Sequence, residues 1–184
     1  MLIIEKSDTN LIAMGLSSKL LQHRIISISD NICPEIANEV NNAIKYLITL
    51  NKEPITLQIN SSGGECYSGF AIIDTIELAK KDGVPVNIIV EGMAASMAAA
   101  ILLVGSKRYA TKRSVIMLHQ VSGGYYDKNS SLQIQAKEVD RVNNELKKLI
   151  GEYSDMEPIH ESILEDLYLT PEEALKLGII DGIL

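Results

Sequence analysis

A serine, a histidine and an aspartate occur at places in this sequence where their side chains could act together as a hydrolytic site. Ser96 stands where a β-branched run gives way to an alanine-rich predicted helix, so its hydroxyl would be exposed on a sharp turn. His119 directly follows a short apolar run that is typical of a strand. A serine hydroxyl needs a base near neutral pH, and a histidine base needs a carboxylate to hold its tautomer. Asp166 lies in a polar interval before a predicted helix, from which it could approach the histidine.

Each of these residues also has a plain structural interpretation. The segment 92–97 (GMAASM) lacks the G-x-S-x-G pattern of many hydrolases, so Ser96 could simply belong to a buried, alanine-rich helix. A histidine at the end of a strand is often only a hydrogen-bonded structural residue. The other two histidines, His23 and His160, do not follow a core strand into a loop, and this favours His119 as the base.

A turn with two consecutive glycines, Gly63 and Gly64, follows an alternating apolar run. Glycines let the backbone turn sharply and leave N–H groups free to point at a ligand. The N–H groups that follow Ser96 lie at the positive end of the predicted helix, where they can stabilise a negatively charged oxygen. Taken alone, the glycine pair favours an ordinary tight turn.

Strands and helices alternate along the chain and would position these residues. The hydrophobic pattern predicts strands at residues 24–29, 55–60, 86–90, 114–118 and 179–180. It predicts helices at residues 35–50, 70–80, 96–104 and 132–153, and a further helix capped by Thr170 and Glu173. This alternation predicts an α/β fold with largely parallel strands, whose sites lie at strand ends.

Composition narrows the class of protein. A chain of 184 residues with 46% hydrophobic content fits a single domain, and a net charge of -7 argues against nucleic acid or membrane as a partner. Cys33 and Cys66 are expected to be free thiols, and no Cys/His spacing suits a metal. Residues 1–10 carry charges unlike those of a signal peptide, and no apolar run is long enough to span a bilayer. We therefore expect a cytoplasmic protein.

Taken together, the motifs resemble the proteolytic subunit of the Clp protease family of serine peptidases. The resemblance is an ordered series that covers nearly the whole chain. It comprises the segments 3–5 (IIE), 20–21 (LL), 24–26 (RII), 59–64 (INSSGG), 74–75 (DT), 92–97 (GMAASM), 117–120 (MLHQ), 134–138 (IQAKE), 173–174 (EA) and 178–181 (GIID). It implies the ClpP/crotonase-like fold of repeated β-β-α units with a protruding handle helix, in a single peptidase domain over residues 1–184.

The resemblance implies a role for each candidate residue. Ser96 matches the nucleophile, His119 the base and Asp166 the carboxylate of a Ser-His-Asp triad. The backbone N–H groups of Gly64 and Met97 match the oxyanion hole. The residues implied to hold an extended substrate by main-chain pairing are Gly63, Gly64, Glu65, Cys66, Val121, Ser122, Gly123 and Gly124. The implied reaction is endopeptidase hydrolysis of unfolded proteins and short peptides, with no metal or cofactor in this chain.

The resemblance also implies partners. Self-association into heptameric rings, stacked as a tetradecamer, would use a handle region at residues 121–153, and residues 1–19 would form an N-terminal axial segment. A separate AAA+ unfoldase would consume ATP and feed unfolded polypeptide to the chamber. At three kinds of position this chain differs from the family. Thr56, Gln58 and Leu78 replace aromatic residues of the unfoldase docking pocket, Ser62 and Val121 replace prolines, and Glu165 replaces an arginine that couples the rings.

Other classes of function stay open at the level of sequence. The chain could be a catalytically silent ring subunit that supports active ones, although such subunits typically lack a triad residue. It could be an acyl-CoA enzyme of the crotonase type, which shares the fold and uses paired N–H groups without a triad. A Ser-Lys pair, as in signal-peptide peptidases, would need Lys107 or Lys112, and nothing in the pattern requires either lysine.

Overall fold

The computed structural model describes residues 1–6, 11–122, 129–156 and 166–184. The strands in these residues are β1 (Leu2–Lys6), β2 (Leu11–Gly15), β3 (Ile25–Ile28), β4 (Ile55–Ser61), β5 (Val86–Ala95), β6 (Arg108–Ala110), β7 (Val115–Leu118), β8 (Leu167–Leu169) and β9 (Gly182–Ile183). The helices are α1 (Leu16–Gln22), α2 (Pro34–Leu50), α3 (Cys66–Lys81), α4 (Met97–Leu103), α5 (Asn129–Tyr153) and α6 (Pro171–Lys176). Helices and parallel strands alternate from β3 to α4, which confirms the predicted α/β class.

The central sheet brings the ends of three distant strands together. Its main path runs β3–β4–β5–β6–β9 with every neighbouring pair parallel. Strand β5 pairs with β6 through Ile88–Val90 and with β7 through Met93–Ala95. Between these stretches Gly92 has φ +110°, a conformation that costs glycine little. The carboxyl ends of β4, β5 and β7 therefore lie at one edge, and β8 extends that edge by antiparallel pairing with β7.

The core explains why these segments fold as they do. Alternate residues of β4 and β5 are completely buried, namely Ile55, Leu57, Ile59, Val86, Ile88 and Val90. This alternation predicted β4, because successive side chains of a strand point to opposite faces. The prediction of β5 came instead from its β-branched residues. All seven residues of α4 are buried. Its run of alanines lets the helix lie close to the sheet, so the turn that precedes α4 is held on a rigid base.

Several predicted boundaries need correction. Strand β5 continues to Ala95, five residues beyond its predicted end. The predicted strand at Ile179 and Ile180 is wrong, since both N–H groups donate to the Ala174 carbonyl in the turn that ends α6, at 2.9 and 3.4 Å. This apolar pair is buried as a helix-terminal turn, and the strand follows it at Gly182. Helix α3 begins at Cys66, four residues before the predicted start, because no apolar period marks its first turn.

The short elements were not predicted. Strands β6 and β8 have three residues each, too few to show a period of two. In the hairpin of β1 and β2, Leu2 and Ile4 are 73% and 69% exposed. Its apolar residues are therefore not confined to a buried face, and the sequence shows no strand-like alternation. The capped start of α6 is confirmed. The Glu173 N–H donates to Thr170 Oγ1 at 3.3 Å, and the Thr170 N–H donates to the Glu173 carboxylate at 2.8 Å.

Candidate active site

Ser96 occupies the junction between β5 and α4 in an unusual backbone conformation. Its φ and ψ are +55° and -124°, a region that non-glycine residues rarely adopt. The Ser96 N–H donates to the Met117 carbonyl of β7 at 2.8 Å, which fixes the turn against the neighbouring strand. Strained conformations of this kind persist where the surrounding structure determines them, and they cluster at functional sites. Here the effect is to present the hydroxyl outward at the edge of the sheet.

His119 meets Ser96 because the two strands that carry them are parallel and in register. Ala95 pairs with Met117, so Ser96 is level with Leu118 and His119 follows one residue further along the chain. The distance from His119 Nε2 to Ser96 Oγ is 2.7 Å, a good hydrogen bond. When Nδ1 carries the ring proton, Nε2 accepts the serine proton, as a general base must.

Asp166 lies on the opposite side of the imidazole. Its position follows from the antiparallel register of β7 and β8, in which Leu118 pairs with Leu167. Asp166 Oδ1 is 3.8 Å from His119 Nδ1, within ion-pair range and beyond a direct hydrogen bond. The Asp166 side chain is 62% exposed, whereas that of His119 is 20% exposed. The structure thus brings all three predicted residues together, with the looser contact at the carboxylate.

The two glycines of the β4–α3 turn lie directly beside this group. Gly63 and Gly64 have φ of +99° and +148°, which requires glycine or strains any other residue. A β-carbon at Gly63 would lie 2.6 Å from the Ser96 β-carbon and 3.0 Å from the Met97 nitrogen. The bridge to Ile32 uses the Gly63 carbonyl and the Glu65 N–H, at 2.7 and 2.8 Å, and leaves the Gly64 N–H outside it.

The Met97 N–H is a second donor at this point. Met97 is the first residue of α4, where backbone N–H groups have no acceptor within the helix. Gly64, Ser96 and Met97 line the same cavity, so N–H groups from two different turns belong to the surroundings of the serine. A pair of fixed donors beside a nucleophile can stabilise the oxyanion of an acyl-transfer intermediate.

A cavity of about 80 Å³ opens next to Ser96 and His119. Its apolar lining, called the floor here, is formed by Met97, Ala100, Leu103, Leu118, Leu146 and Ile150. Cys66 also lines it, and burial raises the pKa of this thiol, so that the group stays protonated at neutral pH. The cavity suits an apolar side chain held beside the reactive hydroxyl.

The residues that were predicted to hold an extended chain have different positions. Gly64, Cys66, Val121 and Ser122 line the cavity, and Gly63 packs beneath the serine turn. Glu65 does not line the cavity; its carboxylate accepts a hydrogen bond from Ser68 Oγ at 3.1 Å. Gly123 and Gly124 lie outside the described residues, as does Glu165.

Sequence reasoning missed the apolar floor of the cavity. Leu146 and Ile150 lie in the helix predicted at residues 132–153, but neither was predicted to take part in the site. Ala100 and Leu103 follow Met97 at intervals of three residues on α4, and all three line the cavity. One feature of the sequence could have indicated this part of the site: Asn143 is a polar residue on the same helical face as Leu146 and Ile150.

The described part of the chain has no group of three or more His, Cys, Asp or Glu side chains placed to hold a metal ion. Among the described helices, none combines the length and the apolar character that crossing a bilayer would demand.

The comparison with known proteins decides the family. The model of the Clp protease family matches residues 8–184. The chain belongs to the Clp protease family. Proteins named ATP-dependent Clp protease proteolytic subunit from Porphyromonas gingivalis and Deinococcus radiodurans are 36% and 35% identical to it over 187 residues. These matches cover 99% of this chain and 83% and 90% of the two relatives.

A third relative supports the same assignment. The ATP-dependent Clp protease proteolytic subunit 1 of Prochlorococcus marinus is 35% identical over 190 residues, which cover all of this chain and 95% of the relative. The Clp proteolytic subunits form a family of serine endopeptidases, so this chain is an enzyme of that class. The resemblance seen in the sequence is thereby confirmed at the level of family and fold.

Proposed function

We propose that this chain hydrolyses peptide bonds with Ser96 as nucleophile, His119 as general base and Asp166 as the carboxylate that orients the imidazole. The observation that carries the proposal is the 2.7 Å contact between Ser96 Oγ and His119 Nε2. That contact lies between residues 23 positions apart, and it places a base on the one serine whose backbone conformation is strained among the described residues. An acyl-CoA enzyme of the crotonase type would need no such pair.

The first half of the reaction forms an acyl-enzyme. Ser96 Oγ attacks the carbonyl carbon of the substrate as its proton passes to His119 Nε2. The carbonyl oxygen becomes an oxyanion that accepts hydrogen bonds from the N–H groups of Gly64 and Met97. The C–N bond then breaks, and the imidazolium returns its proton to the departing amine.

The second half releases the product. A water molecule gives a proton to His119 and attacks the ester carbonyl, which forms the second oxyanion in the same place. Collapse of this intermediate breaks the bond to Ser96 Oγ and returns the proton to the serine. The Asp166 carboxylate stabilises the imidazolium that forms in each half.

The substrate is proposed to bind as an extended chain along the cavity mouth. The segments that contain Gly64 and Val121 both line the cavity, and we propose that they pair with the substrate main chain through groups other than the Val121 N–H, which is bonded to Asn143. The apolar floor would receive the side chain that precedes the cleaved bond. We therefore propose a preference for apolar residues at that position, with unfolded proteins and short peptides as substrates.

The assembly is proposed from the family. The relatives are named as ATP-dependent, which supports an AAA+ unfoldase as partner, with heptameric rings stacked as a tetradecamer around the sites. ATP would be used by the unfoldase and by no group in this chain. Leu78 is 59% exposed, and Gln58 donates to Glu91 at 3.1 Å, so a polar network occupies part of the surface where docking aromatics were expected. Docking would then depend on other contacts.

A reactive probe tests the proposal directly. A fluorophosphonate should label the assembled wild-type particle, and mass spectrometry should place the phosphonyl group on Ser96. Heat-denatured protein provides the control, because labelling requires the folded site. An assembled particle that stays unlabelled, or is labelled on another serine, would overturn the proposal and favour a silent ring subunit. Mixing with an active relative would then identify that role.

The loose carboxylate contact leads to a measurable expectation for Asp166. Asp166→Ala should lower kcat about 100-fold and leave KM nearly unchanged, since the imidazolium loses its counter-ion while substrate contacts persist. The loss should be smaller than that for the serine, because the Asp166 side chain is 62% exposed and its Oδ1 lies 3.8 Å from His119 Nδ1. Asp82→Ala, which removes an exposed carboxylate at the end of α3, is the matched control. Equal rates for both variants would remove Asp166 from the triad.

A further inference from the structure

The residue that anchors the backbone after His119 comes from the long helix α5. Asn143 Oδ1 accepts a hydrogen bond from the Val121 N–H at 2.7 Å, in a part-buried contact between residues 22 positions apart. Val121 stands two residues beyond His119, and neither residue belongs to a strand or helix. The segment from His119 to Ser122 lines the cavity without the support of a sheet ladder. It therefore needs support from elsewhere.

We propose that Asn143 is a positioning residue for the hydrolytic site, which acts by fastening the His119–Ser122 backbone to α5. The inference rests on the proposed function and adds a group that the triad does not contain. Strand β7 ends at Leu118, so its ladder fixes only one side of the histidine backbone. The Asn143 contact fixes the other side. With both ends held, the imidazole stays within 2.7 Å of Ser96 Oγ.

The same contact joins the two walls of the substrate cavity. Asn143, Leu146 and Ile150 follow the i, i+3, i+7 spacing of one helical face, and the two apolar residues form part of the cavity floor. Val121, at the other end of this hydrogen bond, also lines the cavity. An asparagine on this face gives up apolar packing, and its amide oxygen is used for one specific backbone donor. A shift of α5 would therefore move the backbone that follows His119.

Removal of the acceptor should reduce the rate of the chemical step. We expect Asn143→Ala to lower kcat/KM about 10-fold, because a part-buried N–H loses its partner and the segment shifts. Asn143→Asp keeps an acceptor oxygen at the same reach and should stay within about threefold of wild type. Asn144→Ala is the matched control, since Asn144 is the exposed neighbour on the same helix. Its activity should equal that of wild type.

A double-mutant cycle separates positioning from general damage. Val121→Pro removes the donor N–H itself, so Asn143→Ala should have less than about a twofold further effect in that background. The rate of Ser96 phosphonylation by a small fluorophosphonate is a second readout. It depends on the Ser96–His119 pair and needs no extended substrate, and it should fall in parallel with peptide hydrolysis. Melting temperatures establish that each variant is folded.

The outcomes distinguish this inference from the proposed function. If wild type is labelled at Ser96 but Asn143→Ala reacts as fast as Asn144→Ala, the positioning role is wrong and the triad stands. If wild type itself is unreactive, the proposed function fails first. Equal losses in the wild-type and Val121→Pro backgrounds would mean that Asn143 acts through another contact. If Val121→Pro does not fold, the comparison of Asn143→Ala with Asn143→Asp decides, and equal losses in both would overturn the inference.

Discussion

Ser96→Ala is expected to lower the peptide-hydrolysis rate at least about 10⁵-fold and to abolish fluorophosphonate labelling. The proposed reaction forms a covalent bond to the Ser96 hydroxyl, and removal of the nucleophile from a triad leaves only the residual effect of the oxyanion donors and substrate binding. The backbone should not change, because serine and alanine both carry a β-carbon and have the same difficulty at φ +55°. The measurement is the initial rate on a fluorogenic peptide with an apolar residue before the cleaved bond.

The matched control for this loss is Ser29→Ala. Ser29 is exposed just beyond β3, distant in sequence from the serine turn, and its replacement should leave the rate unchanged. Both variants should elute at the wild-type particle size, so that activity is compared in the same assembly. A Ser96→Ala particle that retains a tenth of the wild-type rate would show that the hydrolysis uses another nucleophile. Contamination by a host peptidase is tested by the same labelling reaction.

Gly63→Ala is expected to lower kcat about 10³-fold through a steric effect alone. The added methyl group would lie 2.6 Å from the Ser96 β-carbon and 2.7 Å from the Ala95 carbonyl oxygen, where no flexible side chain can yield. The turn must therefore move away from the serine and take the Gly64 N–H with it. Loss of one oxyanion donor costs about 10² to 10³ in kcat, and a displacement of about 1 Å at a site costs about 10².

Gly83→Ala separates this effect from backbone strain. Gly83 also has a positive φ, +79°, but an added β-carbon there would meet no atom within 4 Å. Both substitutions should reduce thermal stability, because alanine is strained at positive φ. Only Gly63→Ala should reduce kcat and the labelling rate. A Gly63→Ala enzyme with the same kcat as Gly83→Ala would show that the first turn takes no part in the reaction.

The proposed chemistry depends on where parallel strands end. The turn after β4 supplies Gly64, the turn after β5 supplies Ser96 and Met97, and the turn after β7 supplies His119. Each turn is short and rests on a buried strand, so the reacting groups are held by the sheet itself. Asp166 is added by the antiparallel strand β8. The carboxylate is the most exposed member of the triad, with 62% of its side chain open against 20% for His119.

The periodicity of the longer elements was sufficient to predict them. Helix α2 and strand β4 have clear apolar periods, because each buries one face in the core. The capping pair Thr170 and Glu173 was readable because its two hydrogen bonds are local. Strands β6 and β8 could not be predicted from the sequence. Their pairing depends on partners far along the chain, and three residues carry no period.

The sequence by itself determined which chemical groups are available and in what order they follow the strands. It places Ser96 at the start of an alanine-rich helix, His119 after a core strand and a glycine pair between β4 and α3, and these are local features. The tertiary structure decided the 2.7 Å approach of His119 to Ser96, the apolar cavity and the contact between Asn143 and Val121. These depend on hydrogen-bond register and packing between segments distant in the chain, which no local pattern specifies.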